Sequence, residues 1–358
     1  MRFRSARTRL ITFSFLAFIA LAACAKNAKQ DALHPRGPVA RQEHHLFVPV
    51  FWIAAAIFFL VEGLIVYAVV RFRDRPGAPE PKQIHGNSRL ELGWTIAPAV
   101  LLLGIAIPTV ITIFHVSAKS VPNEVRVKVT GHQWWWEYEY EGTNPVVKTA
   151  NELVIPAGRQ VFLDLTSADV IHSFWVPELA GKQDVVPDRT NTLAFSADEP
   201  GTYHGQCAEF CSVSHANMRL EVIAKTESDY ATWLAGQQQN GAEPQGSDAQ
   251  TGMQLFMSNA CIACHAINGT AAGGQVGPNL THLASRTTFG SAIYPLQPDF
   301  LAQWVKHARL QKPGVLMPDF DRPLLPGDPA ASAIGQTPFR PLNDQEIQQI
   351  VAYLMSSK

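Results

Sequence analysis

The sequence predicts a multidomain membrane protein built from a two-helix transmembrane hairpin, a small β-barrel and an all-α domain. Three observations predict it. Two apolar stretches are long enough to cross a bilayer, short period-two alternation follows them, and helical spacing returns beyond a polar, glycine-rich joint. A chain of 358 residues is too long for one compact core. Its net charge of −1 speaks against nucleic acid as a partner. Charged residues make up 16%, low for a protein wholly in water and consistent with part of the chain lying in lipid.

The chain opens with Arg2, Arg4, Arg7 and Arg9, then an apolar run from Leu10 to Ala23 that is short for a membrane span. This reads as an export signal over residues 1–23. It ends in Leu21-Ala22-Ala23-Cys24, which resembles a bacterial lipobox and would make Cys24 the lipidated first residue of the mature chain. An ordinary secretory peptide beside a chance cysteine is the other reading. Residues 24–45 follow as an external segment. Leu46 to Val70 and Trp94 to Phe114 then meet the roughly 20 residues that a membrane helix needs, giving a hairpin over 46–119. Pro98 and Pro108 are tolerated where helices pack. Glu62 is costly in lipid and belongs against a partner subunit. Arg71, Arg73, Arg75, Lys82 and Arg89 put the connecting loop in the cytoplasm, so both ends of the hairpin face outward.

Residues 120–228 read as the β-domain. Glu124 to Thr130 alternates polar and apolar, and 153–155, 161–165, 191–195 and 219–224 continue the style between turn signals such as Pro156-Ala157-Gly158. Residues 229–250, rich in Gly, Gln, Asn and Ser, read as a flexible linker. The last domain, 251–358, carries helical stretches near 250–260, 298–307 and 343–355, the last opened by Asn343 and Glu346 in a capping-box pattern.

Two constellations carry chemistry. Cys207, Cys211, His215 and Met218 stand as Cys-x₃-Cys-x₃-His-x₂-Met, with His172 beside a strand upstream. Thiolate, imidazole and thioether together favour copper, and two cysteines can bridge a copper pair with an imidazole on each metal and Met218 as a weak axial ligand. Zinc, or a Cys207–Cys211 disulfide, are the competing readings. Farther on, Cys261-Ile262-Ala263-Cys264-His265 is the attachment signature for one covalent haem c, in which His265 supplies the proximal nitrogen; a zinc half-site is the alternative.

At Tyr203 to Met218 the chain resembles the CuA motif of cytochrome c oxidase subunit II. His172-Ser173-Phe174, Lys182-Gln183-Asp184 and the stretch from Gly131 to Trp136 match the same family, over roughly Gln42 to Ala224. The resemblance implies a cupredoxin-like β-barrel and adds the backbone carbonyl of Glu209 to the copper ligands His172, Cys207, Cys211, His215 and Met218. It also implies that the Glu209 carboxylate reaches a magnesium ion at the interface with subunit I. Trp134 falls where the family takes in electrons, though a tryptophan stabilising the sheet fits as well. Glu91 matches an acid at the mouth of a proton path in the catalytic subunit, or is a solvated residue at a helix end. From about Gly246 onward the order of helices and motifs resembles class I cytochromes c. That implies Met317, in Leu316-Met317-Pro318, as the sixth iron ligand, with His282 and His307 as weaker competitors.

The implied protein is the electron-input subunit of a haem–copper terminal oxidase, cytochrome c oxidase, not catalytic alone and with no catalytic residue of its own. Electrons would pass from cytochrome c or another external donor through haem c and CuA to haem a of the catalytic subunit, where oxygen becomes water. Subunits I and III and membrane lipid are the expected partners, in a bacterial inner membrane with both outer domains on the periplasmic face. A CuA-bearing subunit of a nitric oxide reductase and a non-enzymatic copper assembly protein remain as alternatives.

Overall fold

The computed structural model describes residues 13–14, 28–77, 79–80 and 82–357. Apart from residues 13–14, the expected signal segment lies outside the described residues, as does Cys24.

Helix α1, Pro38–Arg71, starts on a proline whose missing N–H costs nothing at that position. Helix α2, Ser88–Val116, is capped by the Asn87 side chain, which accepts from the N–H groups of Arg89 and Leu90. Both run past the apolar stretches expected from sequence, and no residue of α2 is buried by protein. The apolar stretch of each helix is left uncovered by protein, which suits a bilayer. Pro49, Pro98 and Pro108 lie inside them.

The outer end of α1 is clasped to the β-domain. Arg36 N donates to Glu178 O, Asp198 N donates to Arg36 O, Arg41 pairs with Asp198 through both guanidinium nitrogens, and Gly181 N donates to the Glu43 carboxylate at 3.1 Å.

The β-domain is a sandwich of two five-stranded sheets. Its strands are β1 (Val125–His132), β2 (Trp135–Tyr140), β3 (Val147–Ala150), β4 (Glu152–Pro156), β5 (Val161–Ser167), β6 (His172–Trp175), β7 (Gln183–Val185), β8 (Asn191–Phe195), β9 (Gly201–Cys207) and β10 (Arg219–Lys225). One sheet runs β3-β2-β1-β5-β8 and the other β4-β10-β9-β6-β7, with β1–β5 and β4–β10 parallel. The alternation read in sequence points Val125, Val127 and Val129 inward from β1. Strand β2, not among the strands expected, sends Trp136, Tyr138 and Tyr140 into the same core.

The segment expected as a flexible linker instead opens with helix α3, Glu227–Gln237. Beyond it Gln238 donates to Asn144 O, Gly241 N to Asn268 O, and the His282 ring meets Gln239 O at 3.0 Å. Polar composition suggested disorder, but the Gln238 side chain finds a partner on the β-domain, and the backbone of Gln239 and Gly241 finds partners on the C-terminal domain.

The C-terminal domain holds α4 (Ser247–Ser258), α5 (Cys261–Cys264), α6 (Pro298–Gln311), α7 (Pro329–Ile334) and α8 (Asp344–Ser356), with a hairpin of β11 (Thr288–Phe289) and β12 (Tyr294–Pro295). Helix α6 departs from helical dihedrals at His307, where the sequence reading ended it. The Asn343–Glu346 capping box is present in both directions. Phe256, Leu301, Val305, Ile350 and Tyr353 form the core under α4, α6 and α8, and Met253, Met257 and Met355 pack against it.

Candidate functional site

The loop between β9 and β10 folds back so that its donors converge on His172, the first residue of β6. Cys207 and Cys211 Sγ lie 3.7 Å apart as free thiols, well beyond the roughly 2 Å of a disulfide, so that alternative does not hold here. The other donors divide between the two sulfurs. His172 Nδ1 lies 3.9 Å and Glu209 O 3.2 Å from Cys207 Sγ. His215 Nδ1 lies 3.6 Å and Met218 Sδ 3.9 Å from Cys211 Sγ. Donor atoms of His172, Cys207 and Cys211 all fall within 4.8 Å of one another.

Two shared sulfurs, each flanked by one imidazole and one weaker donor, fit a pair of soft metal ions. The tautomer fits too. His172 Nε2 sits 2.8 Å from Asp169 Oδ1, so the protonated nitrogen faces the carboxylate and Nδ1 faces the sulfurs. Asp169 Oδ2 also accepts from Gln133 N, tying the histidine to the β1–β2 turn. Cys207 is held far below the usual thiol range, first by its hydrogen bond with Cys211 and then by His172, while Cys211 is pushed up by the same sharing and by burial. Protons alone therefore leave the pair able to shed one and reluctant to shed two, and bound cations relieve that conflict.

In the C-terminal domain Cys261, Cys264, His265 and Met317 line one cavity with Arg286 and Trp134. His265 Nδ1 donates to Pro278 O at 2.8 Å, which leaves Nε2 free to meet iron. Burial pulls His265 below its usual value. Gly277 makes room for the ring, since a Cβ there would stand 2.6 Å from His265 Cε1. Burial pushes the Cys261 thiol up to about 12. Arg286 is drawn down by burial to about 10, and its Nε has no hydrogen-bond partner among the described residues. A guanidinium with a buried, spare N–H beside a largely apolar cavity fits a porphyrin propionate. The residues present therefore fit a covalent haem. His282 and His307 do not line this cavity.

Trp134 does not face water. It is 5% exposed, lines the haem-domain cavity, and its indole Nε1 donates to Cys211 O at 2.7 Å. Glu91 lies in the first turn of α2, where its carboxylate accepts from Asn87 N at 3.2 Å. Asp169, Arg286, Lys312 and Glu152 were not singled out from sequence. Glu152 and Lys312 are buried charges, Arg286 hides its Nε and Asp169 acts through His172, and neither burial nor contact is visible in one sequence.

The hairpin, the cupredoxin-like sandwich and the cytochrome domain, with their two donor sets, define a membrane-anchored subunit of a haem–copper oxidase. Family profiles match in chain order: cytochrome c oxidase subunit II, transmembrane domain, at residues 26–111; the periplasmic domain of the same subunit at 141–225; and cytochrome c at 249–358. Cytochrome c oxidase subunit 2 of Alkalihalophilus pseudofirmus is 33% identical over all of this chain and 99% of its own length. That of Bacillus sp. PS3 is 31% identical over 98% of this chain and 97% of its own. Quinol oxidase subunit 2 of Bacillus anthracis is 34% identical over 64% of this chain and 79% of its own. The crystal structure of the periplasmic domain of subunit II from Bradyrhizobium japonicum covers 32% of this chain and 95% of its own, at 31% identity and a TM-score of 0.31. The chain belongs to the cytochrome c oxidase subunit II family, in the form that carries a cytochrome c domain.

Proposed function

We propose that this subunit takes electrons from an external donor at its cytochrome domain and delivers them through its copper site to the catalytic subunit. When bound, a haem c and a binuclear CuA supply two one-electron carriers, from which haem a of the catalytic subunit draws electrons to reduce oxygen to water. Cys261, Cys264, His265 and Met317 would hold the haem. His172, Cys207, Cys211, His215, Met218 and the Glu209 carbonyl would hold the copper pair.

One observation carries this reading: the Trp134 indole touches both sites, lining the haem cavity on one side and bonding Cys211 O on the other. Trp134 then serves as an internal contact between centres rather than as the landing point for an outside protein. Phe210, 77% exposed in the middle of the copper loop, offers apolar surface that suits the catalytic subunit. The Glu209 carboxylate as a magnesium ligand, Glu91 as a proton-path residue, subunit III as a neighbour, the bacterial inner membrane as location and a lipid on Cys24 belong to the same proposal.

Rapid photoreduction of the haem in the purified oxidase tests it. Haem absorbance should fall back as the copper signal becomes reduced, before haem a responds. Haem a reduced ahead of copper would reverse the order and defeat the proposal. Oxygen uptake by the purified subunit alone would defeat it as well.

A further inference from the structure

The sandwich and the cytochrome domain meet at three fixed points. Glu152, which opens β4, receives four hydrogen bonds on one oxygen: from Thr287 N at 2.9 Å, Thr287 Oγ1 at 2.8 Å, Thr288 N at 2.7 Å and Thr288 Oγ1 at 2.8 Å. Lys312 Nζ donates to Trp134 O at 2.5 Å, to Ser291 Oγ at 2.6 Å and to Gly290 O at 3.4 Å. Ser291 Oγ also donates to Trp134 O at 2.7 Å. Third, Ser214 Oγ donates to Pro313 O at 2.7 Å. Beside that bond Gly314, at φ +85°, lies so close that a Cβ would stand 2.5 Å from Trp134 Cη2 and 2.8 Å from Val213 Cγ2.

These contacts are selective in a telling way. Glu152 is 4% and Lys312 2% exposed, and each finds partners across the domain boundary. A charge is buried at such a depth only when its partners are in place, because an unpaired one is heavily penalised. Charge-assisted hydrogen bonds are also the strong, directional kind. Lys312 and Gly314 belong to the segment that ends in Met317, and Ser214 belongs to the copper loop next to His215. The same short segments therefore carry the proposed metal donors and the contacts between domains.

We propose that the cytochrome domain is locked on the sandwich, with Glu152 and Lys312 as positioning residues that hold the haem cavity against the Trp134 indole, so that electron hand-over needs no domain movement. This rests on reading the two donor sets as haem and copper ligands. The lock also closes Trp134 to outside proteins, so an external donor must reach the haem through the free face of the cytochrome domain.

The test uses the intact oxidase, in which photoreduction of the haem starts transfer to copper at varied sucrose concentration. A locked pair gives a wild-type rate independent of viscosity and ionic strength. Glu152→Ala and Lys312→Met should each slow transfer about tenfold or more and make it viscosity-dependent, as displaced reacting groups do. The haem optical spectrum and copper EPR signal should stay as in the wild type. The milder pair Thr287→Val and Thr288→Val should fall between, which guards against a misfolded variant. A wild-type rate that drops in proportion to viscosity, with both spectra intact, overturns the lock and leaves the functional reading standing. Variants that transfer at the wild-type rate overturn it equally. A correctly matured protein lacking the copper signal removes the functional reading beneath it.

Discussion

At the scale of single residues, the spacing of donors was legible because each motif is local. Cys207 to Met218 and Cys261 to His265 sit within one loop and one turn, and soft-ligand chemistry marks them without any knowledge of the fold. Glu152 and Lys312 were not legible, since their partners lie far along the chain and neither residue type announces burial. Two predictions belong here. Cys207→Ser removes one of the two sulfurs proposed to bridge the copper pair, so copper content should collapse while haem staining near 39.3 kDa is unchanged, as metal analysis and gel staining would show. Gly277→Ala forces a methyl against the His265 ring and should break its bond to Pro278 O. The covalent haem should persist, but its optical spectrum should turn from low-spin to high-spin; an unchanged spectrum would mean that the ring has room to shift.

Secondary-structure elements were legible where periodicity or capping fixes them. The terminal helix α8 begins at the expected cap, and β1 alternates as read. Strand β2 escaped because a run of tryptophans resembled a family landmark more than an alternating strand, and α3 because polar composition does not forbid a helix with tertiary partners. Asn343→Ala should cost the cytochrome domain about 1 kcal/mol, read as a lower denaturant midpoint with unchanged slope. The same cap has a pH signature. Glu346 is held below the usual carboxylate range, first by Arg340 and then by Asn343 N–H. A depressed folded value means stability that is present above pH 4.5 and lost as pH falls through the folded value. Solvent screening keeps the contribution small. Glu346→Gln should flatten the acid side of the stability curve, and a slope identical to wild type would rule the cap out as its source.

For the whole molecule, the order hairpin, sandwich and cytochrome was readable from hydropathy and motif, while the way the last two domains meet was not. Surfaces that dock have no periodicity of their own. The topology predicts a sided outcome in sealed vesicles: protease added on the periplasmic face should remove both outer domains and spare the basic loop after Arg71, and cleavage of that loop would invert the assignment. The clasp at the top of α1 has a consequence for assembly. Arg36, Arg41 and Glu43 join the bilayer-embedded rod to the sandwich without a swivel. Lys182, one residue past the Gly181 that bonds Glu43, reaches the copper loop by donating to Ala208 O at 3.4 Å. The face that carries the proposed copper site thus keeps one heading relative to the plane of the lipid. A neighbouring subunit approaching by lateral diffusion has to find only its azimuth.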